Sequence, residues 1–258
     1  MQIRYVPADP AGNLTAIVLS PAAPQARAEI AARMMVQCPE GFEQVGFADE
    51  ASLQGEWPRL DMMGGEFCGN AARAFACYAA KVRGRSETRL SVAISGAKKP
   101  VPVEIDLSRN HAYAQMPMPY ALDVLTVAGK AIPLVRMEGI DHALVPDAAP
   151  SPELAERVLG AMPKQDAQGV LFVQGGKMVP LVYVPATGTR VWESSCGSGT
   201  VALAWYLARN LADGAHAFAF DEPGGRLEAR VAMRMGQAVW IEMGGPVKLG
   251  EIREIELC

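Results

Sequence analysis

Short apolar runs broken by polar turns make up most of the first half of the chain, a pattern typical of β-strands. The predicted elements of this half are strands at 3–6, 15–19, 45–47, 60–63, 90–94, 101–107 and 112–116, and a helix at 22–35. The turn-forming cluster Pro10-Ala11-Gly12-Asn13 joins the first two strands into a predicted hairpin. Short turns between the last three strands predict an antiparallel sheet around a helix.

The second half repeats this plan after an interruption at Met116-Pro117-Met118-Pro119, where the prolines disrupt both hydrogen bonding and periodicity. Its predicted elements are strands at 132–135, 142–145, 170–173, 179–184, 190–193, 227–233, 239–241 and 251–257, and a helix at 152–159. The strands at 170–173 and 179–184 are predicted to form a hairpin through Gly175-Gly176. We therefore predict two domains, 1–118 and 119–258, and allow the last strand to return to the first domain.

Two segments depart from the strand pattern in the same way. Phe67-Cys68-Gly69-Asn70-Ala71-Ala72 precedes an apolar helical segment at 73–81, and Ser195-Cys196-Gly197-Ser198-Gly199-Thr200 precedes one at 201–210. Backbone N–H groups at a helix N-terminus stabilise a thiolate, so Cys68 and Cys196 are expected to be acidic and reactive. Because the cysteines lie 128 residues apart, close to half the chain, we interpret the halves as copies of one unit.

Two matched cysteines suggest a pair that acts on opposite faces of one substrate carbon. One thiolate would remove an α-proton and the other thiol would deliver one. Backbone N–H groups at Gly69, Gly197 and Ser198 would stabilise the charge that develops at the substrate carboxylate. The residues therefore predict an amino-acid racemase or epimerase. A redox disulfide between the cysteines, and an amino-acid-binding protein without activity, are the alternatives.

The composition of the chain restricts its class, its partners and its cellular compartment. Half of the 258 residues are apolar and a fifth are charged, as in an ordinary folded protein, and the net charge of −4 argues against a nucleic acid or membrane partner. The N-terminus lacks a signal peptide's apolar core, and no stretch approaches the roughly 20 apolar residues of a membrane span. We therefore expect a cytoplasmic protein.

The remaining cysteines and the histidines predict no further chemistry. Five unevenly spaced cysteines do not form a disulfide framework, and we interpret Cys38, Cys77 and Cys258 as structural or incidental. Three histidines, without CxxC or HExxH, predict no metal site. His142 stands in an apolar strand, and we assign it a supporting role at most.

Above the level of single residues, the motifs resemble a known family. GGEFCGNAAR and ESSCGSGT, with PGGRLEARV and VWIEMGGPVKLGEI, resemble the diaminopimelate epimerase type of racemase over nearly the whole chain. The resemblance implies an α/β (α+β) fold of two pseudo-symmetric domains, each a β-sheet wrapped around a central helix, with the active site between them. It also implies cofactor-independent catalysis by Cys68 and Cys196. Asn13 and Asn70 match positions that bind the substrate's α-amino and α-carboxylate groups.

One departure points to a different substrate. Diaminopimelate epimerases carry Glu-Arg-Gly before the second cysteine, and the arginine binds the distal carboxylate. Here Val191-Trp192-Glu193-Ser194-Ser195 keeps the glutamate and lacks the arginine, which disfavours an acidic side chain in the substrate.

The motif before and around the second cysteine, at 192–200, is shorter than in diaminopimelate epimerases. Together with the motifs at 12–15, 43–47 and 65–71, it resembles the histidine racemases of staphylopine-type opine metallophore biosynthesis. By itself, Asn13 is a typical turn residue and Glu43 a typical solvated one. The resemblance implies instead that Glu43 binds the imidazole, and that Gln44 and Glu193 also contact substrate. The resemblance also predicts that the small-molecule substrate is an amino acid and that there is no cofactor, and it leaves a homodimer open. Diaminopimelate, or another polar or basic amino acid, remains the alternative substrate.

Overall fold

The computed structural model describes residues 1–257, so Cys258 lies outside the described residues. Within this range the chain forms two compact units. The first contains residues 1–115 and 244–257, and the second contains Met116–Met243. The C-terminal segment is therefore grouped with the N-terminal half of the chain.

The first unit is a mixed β-sheet with two helices. Its strands are β1 (Gln2–Asp9), β2 (Thr15–Val18), β3 (Gln44–Asp49), β4 (Arg59–Met62), β5 (Glu87–Ile94), β6 (Val101–Asp106), β7 (His111–Gln115), β17 (Lys248–Leu249) and β18 (Arg253–Glu256), and its helices are α1 (Arg27–Gln37) and α2 (Gly69–Val82). β1 pairs antiparallel with β2, β17 and β18. β2 and β3 pair in parallel, as do β4 and β5, while β5, β6 and β7 form an antiparallel ladder.

Helix α2 is the core of this unit. All of its residues from Gly69 to Ala80 are buried, and six of them are alanine. Because these side chains are so small, strands can approach the helix on several sides at once. The helix contacts β2 and β17 as well as β5, β6 and β7, so the sheet curves around it.

The second unit has the same kind of centre. Its elements are β8 (Ala121–Val127), β9 (Lys130–Arg136), β10 (Ile140–Pro146), β11 (Ala167–Gln174), β12 (Lys177–Val184), β13 (Thr189–Trp192), β14 (Gly214–Glu222) and β15 (Gly225–Arg234), with β16 (Gln237–Pro246) starting here, and helices α3 (Pro152–Ala161) and α4 (Gly197–Ala208). The apolar helix α4 contacts β10, β14 and β15. α3 lies against β8 and β11.

Several sequence-based predictions are confirmed, and some differ in detail. The β1–β2 hairpin and the β11–β12 hairpin are present, and the β5–β6–β7 ladder is antiparallel as expected. The parallel β2–β3 and β10–β11 pairs were not predicted. Each of these pairs is joined through a helix, which is the connection that parallel strands require.

Helix boundaries also differ from the prediction. Residues Pro24–Ala26 form a 3₁₀ turn, so α1 begins at Arg27 instead of Ala22. Both cysteine helices begin earlier than expected, at Gly69 and Gly197. The glycines and small residues after each cysteine therefore form the first helical turn and not a separate loop.

Candidate active site

Cys68 is the residue at which the chain enters helix α2. Its backbone is extended, with φ −131° and ψ 115°, and its Sγ accepts a hydrogen bond from the Ala71 N–H at 3.4 Å. The sulfur thus takes the place that a serine or aspartate oxygen usually occupies at a helix start. The thiol also donates to Oε1 of Gln44, on β3, at 2.8 Å. The half-buried Cys68 therefore lies between a backbone donor and a neutral side-chain amide.

A glycine after β5 allows the turn before Cys68 to pack closely. Gly96 has a φ of +74°, and a Cβ at this position would overlap the backbone nitrogen of Phe67. Ser95, beside it, donates from its hydroxyl to the carbonyl of Glu66 at 3.0 Å. The end of β5 therefore supports the turn that presents Cys68.

Four polar residues of the first unit form a chain of hydrogen bonds. Arg73, fully buried on α2, donates to Oδ1 of Asn70 at 2.8 Å and to the carbonyl of Gly245 at 2.8 Å. The Asn70 amide donates to Oδ1 of Asn13 at 3.3 Å, and the Asn13 amide donates to Oε2 of Glu43 at 2.8 Å. Because an arginine can only donate, it fixes the orientation of both asparagine amides. The chain runs from a buried cation to a carboxylate.

Cys196 begins helix α4 in a different environment. Its backbone is extended, the residue is 4% exposed, and its sulfur makes no capping hydrogen bond with a backbone N–H of the first turn. Its own N–H donates to Oε2 of Glu222 at 2.6 Å, and its sulfur lies 3.6 Å from Oγ of Ser198. Burial raises the pKa of the Cys196 thiol well above its ordinary value, and the negative charges of Glu193 and Glu222 raise it further. The expectation of an acidic thiol is therefore wrong for Cys196.

His142 connects to this cysteine through Ser198. The ring is fully buried on β10, and Nε2 lies 2.9 Å from Ser198 Oγ. Burial lowers the pKa of His142 to about 3, so the imidazole is neutral. Nδ1 has no partner among the described residues. A buried donor without an acceptor is costly, so we place the proton on Nε2, where it is donated to Ser198. The serine hydroxyl can then donate to Cys196.

The structure groups the residues named from the sequence by unit. In the first unit, Cys68 contacts Gln44, and the hydrogen-bond chain joins Asn13, Asn70 and Glu43. In the second, Glu193 and Ser198 both act on the Cys196 thiol. Gly69 and Gly197 are the first residues of their helices, as an N–H binding role requires.

Sequence reasoning missed three residues around this chemistry. Glu222 and Thr200 flank the Cys196 backbone, and Arg73 orients Asn70. Arg73 carries one signal, since a charged residue within a helix of small apolar residues must be buried or paired. Glu222 precedes a Pro-Gly-Gly turn, a position typical of a solvated residue at the end of a strand, so the sequence alone does not indicate that it is buried.

The described residues contain neither a metal cluster nor a membrane-spanning helix. Among residues 1–257, no three or more His, Cys, Asp or Glu side chains are grouped so that they could hold a metal ion. Within the same residues, none of the helices has both the length and the apolar character needed to span a membrane. The four described cysteines, Cys38, Cys68, Cys77 and Cys196, are not in disulfides.

Comparison of the sequence with known proteins shows the family to which the chain belongs. The family model described as the histidine racemase CntK N-terminal domain matches residues 2–251. A histidine racemase of Fusobacterium nucleatum subsp. nucleatum is 31% identical over 227 residues, which cover 80% of this chain and 81% of that protein. A histidine racemase of Staphylococcus aureus (strain Mu50) is 25% identical over 240 residues, 87% of each chain.

A solved structure supports the fold. The crystal structure of a probable proline racemase from Agrobacterium radiobacter K84 matches with a TM-score of 0.68 at 13% identity, covering 99% of this chain and 93% of that one. At this identity the match is evidence for the fold alone. The predicted fold, with β-sheets built around central helices, is confirmed.

Proposed function

We propose that this chain, which belongs to the histidine racemase family, interconverts L- and D-histidine with Cys68 and Cys196 as its acid–base pair. The observation that carries the proposal is the repeated placement of a cysteine at the start of a buried apolar helix, once in each unit. A single buried cysteine is commonly structural, whereas two in matched positions are expected of a pair with one task.

The reaction needs one sulfur as base and one as acid. A thiolate removes the α-proton of histidine, electron density moves into the carboxylate, and the second thiol donates its proton to the opposite face. The product has the inverted configuration, and the two sulfurs have exchanged protonation states. Removal of an α-proton is difficult because the resulting carbanion is high in energy. Backbone N–H groups at the helix starts would lower that energy by binding the carboxylate.

We assign recognition of the imidazole to Glu43. Its carboxylate receives the Asn13 amide on one oxygen, so its position is constrained from within the first unit. An imidazole N–H is a suitable donor to a carboxylate, and more strongly so when the ring is cationic. Residues 191–195, directly before Cys196, contain no arginine at the position that binds a distal carboxylate in diaminopimelate epimerases, and this favours histidine over diaminopimelate.

Exchange of the α-hydrogen with solvent tests the proposal. L-histidine and the enzyme in deuterated buffer should give D-histidine and deuterium at the α-carbon of the product. Cys68→Ser and Cys196→Ser should each lower the racemisation rate by about 10³-fold or more, because each removes one proton-transfer group. Circular dichroism of each variant controls for folding.

The same assay separates the alternatives. Full activity in either folded serine variant would exclude the two-thiol mechanism. Faster turnover of LL-diaminopimelate than of histidine would contradict the substrate assignment. Binding of histidine without any deuterium incorporation would indicate a binding protein. The predicted use of D-histidine in opine metallophore biosynthesis would be supported by an opine synthase gene next to this one.

A further inference from the structure

A buried carboxylate lies at the start of helix α4, from a strand outside the cysteine motif. Glu222 is the last residue of β14 and is 7% exposed. We infer that Glu222 is a positioning residue for Cys196. The Glu222 carboxylate holds the backbone of Cys196, and its negative charge opposes ionisation of the Cys196 thiol. This inference rests on the proposed role of Cys196 in proton transfer.

The geometry ties Glu222 to both ends of the first helical turn. Oε2 accepts the N–H of Cys196 at 2.6 Å, and Oε1 accepts the hydroxyl of Thr200 at 2.6 Å. The same hydroxyl oxygen is 3.0 Å from the carbonyl oxygen of Cys196. The carboxylate therefore bridges the residue that begins the helix and the residue one turn later, and fixes the direction in which the Cys196 side chain leaves the backbone.

The charge of this carboxylate has a second effect, because it sits beside a buried thiol. A thiolate next to a carboxylate in a poorly solvated site is disfavoured by repulsion between like charges. At Cys68 the side chain in contact with the sulfur is Gln44, a neutral amide. The arrangement thus keeps Cys196 in its protonated form and suits it to donate a proton first.

Other groups near Cys196 bear on its protonation and must be included. Glu193, three residues earlier in the chain, raises the pKa of the Cys196 thiol more than Glu222 does, through its negative charge and a side-chain hydrogen bond, while the Ser198 hydroxyl lowers it. From β10, the neutral His142 reaches Cys196 only through Ser198. β15 turns its buried Leu227 and Ala229 inward, and its charged residues alternate on the other face. Glu222 and Glu193 are therefore the two charged residues that affect the protonation of Cys196.

Glu222→Gln separates the charge from the contacts. A glutamine can still accept the Cys196 N–H with its carbonyl oxygen and donate its amide to the Thr200 oxygen. Glu222→Met keeps the side-chain length, removes the charge and serves as the second variant if the glutamine chain does not fold. Asp221→Asn is the matched control, since Asp221 is the neighbouring residue on β14, is exposed and pairs with Arg226.

Thiolate absorbance at 240 nm reports the protonation state without requiring a reagent to reach the sulfur. A pH titration of each chain, minus that of the same chain carrying Cys196→Ser, isolates the Cys196 transition. Glu222→Gln should move this transition to lower pH by about one unit or more, a tenfold rise in thiolate below the transition. Asp221→Asn should leave the transition in place. Coincident curves for the parent and the folded glutamine variant would overturn the inference.

Turnover gives an independent reading. In the direction in which Cys196 is the acid, the alkaline limb of the kcat/KM profile for histidine should move to lower pH in Glu222→Gln. An unchanged alkaline limb would contradict the assigned effect on proton donation. The absorbance titration does not depend on turnover. If the parent chain fails to racemise histidine while the Cys196 transition still shifts, the proposed function fails and the electrostatic role of Glu222 stands.

Discussion

The starts of helices α2 and α4 have the same local design and opposite surroundings. Each begins with an extended cysteine followed by glycine and small residues. Cys68 is half-buried, accepts a backbone N–H and donates to the neutral amide of Gln44. Cys196 is buried, and carboxylates at Glu193 and Glu222 raise its pKa.

The difference shows where acid and base roles are decided. The cysteine motif sets the position of the sulfur, but its surroundings also depend on residues outside the motif, the neutral Gln44 on β3 and the charged Glu222 on β14. A pair that exchanges one proton through a substrate must contain one thiol and one thiolate before each turnover. Because the surroundings of the two sulfurs differ, the state in which Cys196 carries the proton and Cys68 is the thiolate is favoured.

The largest expected effect comes from breaking the support of the first cysteine turn. Gly96→Ala puts a Cβ into the Phe67 backbone at a φ of +74°, and we expect a loss of at least about 3 kcal/mol in the free energy of unfolding. Gly84→Ala is the control, because Gly84 has a φ of +66° and nothing within 4 Å of the added carbon. The Gly84→Ala variant should lose about 1 kcal/mol in the free energy of unfolding. Denaturant unfolding measures both, and equal losses would show that the close approach at Phe67 is unimportant.

A smaller effect should appear in the second unit when pH is lowered. The pKa of His142 is about 3 in the folded protein and about 6.5 when unfolded, so only the unfolded chain gains a proton between these values. Stability is therefore complete above pH 6.5 and declines as pH falls towards 3. Between pH 8 and pH 5 the loss from this group is about 2 kcal/mol.

His142→Gln should remove that part of the pH dependence. A glutamine amide can take the place of Nε2 and donate to Ser198, so the contact is retained without a group that titrates in this range. Unfolding in urea at pH 8 and pH 5 gives the difference for each chain. His216→Gln, on β14, is the control and should show the same difference in unfolding free energy between pH 8 and pH 5 as the parent chain. If His142→Gln also shows this difference, burial of His142 is not the cause of the pH dependence.

Much of the fold follows from local sequence. The β11–β12 hairpin follows from two short apolar runs on either side of Gly175-Gly176, and the buried helices follow from runs of small apolar residues. Parallel pairing was missed, because it is decided by where a helix such as α1 or α3 returns the chain. Local patterns carry no information about that return.

The site divides in the same way. The two cysteines stand out in the sequence because their motifs repeat. The partners that distinguish them do not, since Glu222 is 26 residues from Cys196 and looks like an ordinary polar residue before a turn. The expected acidity of Cys196 is wrong for this reason: the helix N-terminus and Glu193 are visible in the sequence, but the burial of Cys196 and the approach of Glu222 from β14 are not.

The smallest expected effect comes from making the two sites alike. Gln44→Glu places a carboxylate at the Cys68 sulfur, which Gln44 Oε1 contacts at 2.8 Å, and so gives both cysteines a negative neighbour. Repulsion should disfavour the Cys68 thiolate by about one pH unit, or about 1.4 kcal/mol. Racemisation of histidine at neutral pH should then fall about tenfold and recover when the pH is raised by one unit. Gln174→Glu, at the exposed end of β11, should show neither change. A loss that persists at every pH would instead assign Gln44 to substrate binding, and the contrast between the two cysteines would then depend on Glu193 and Glu222 alone.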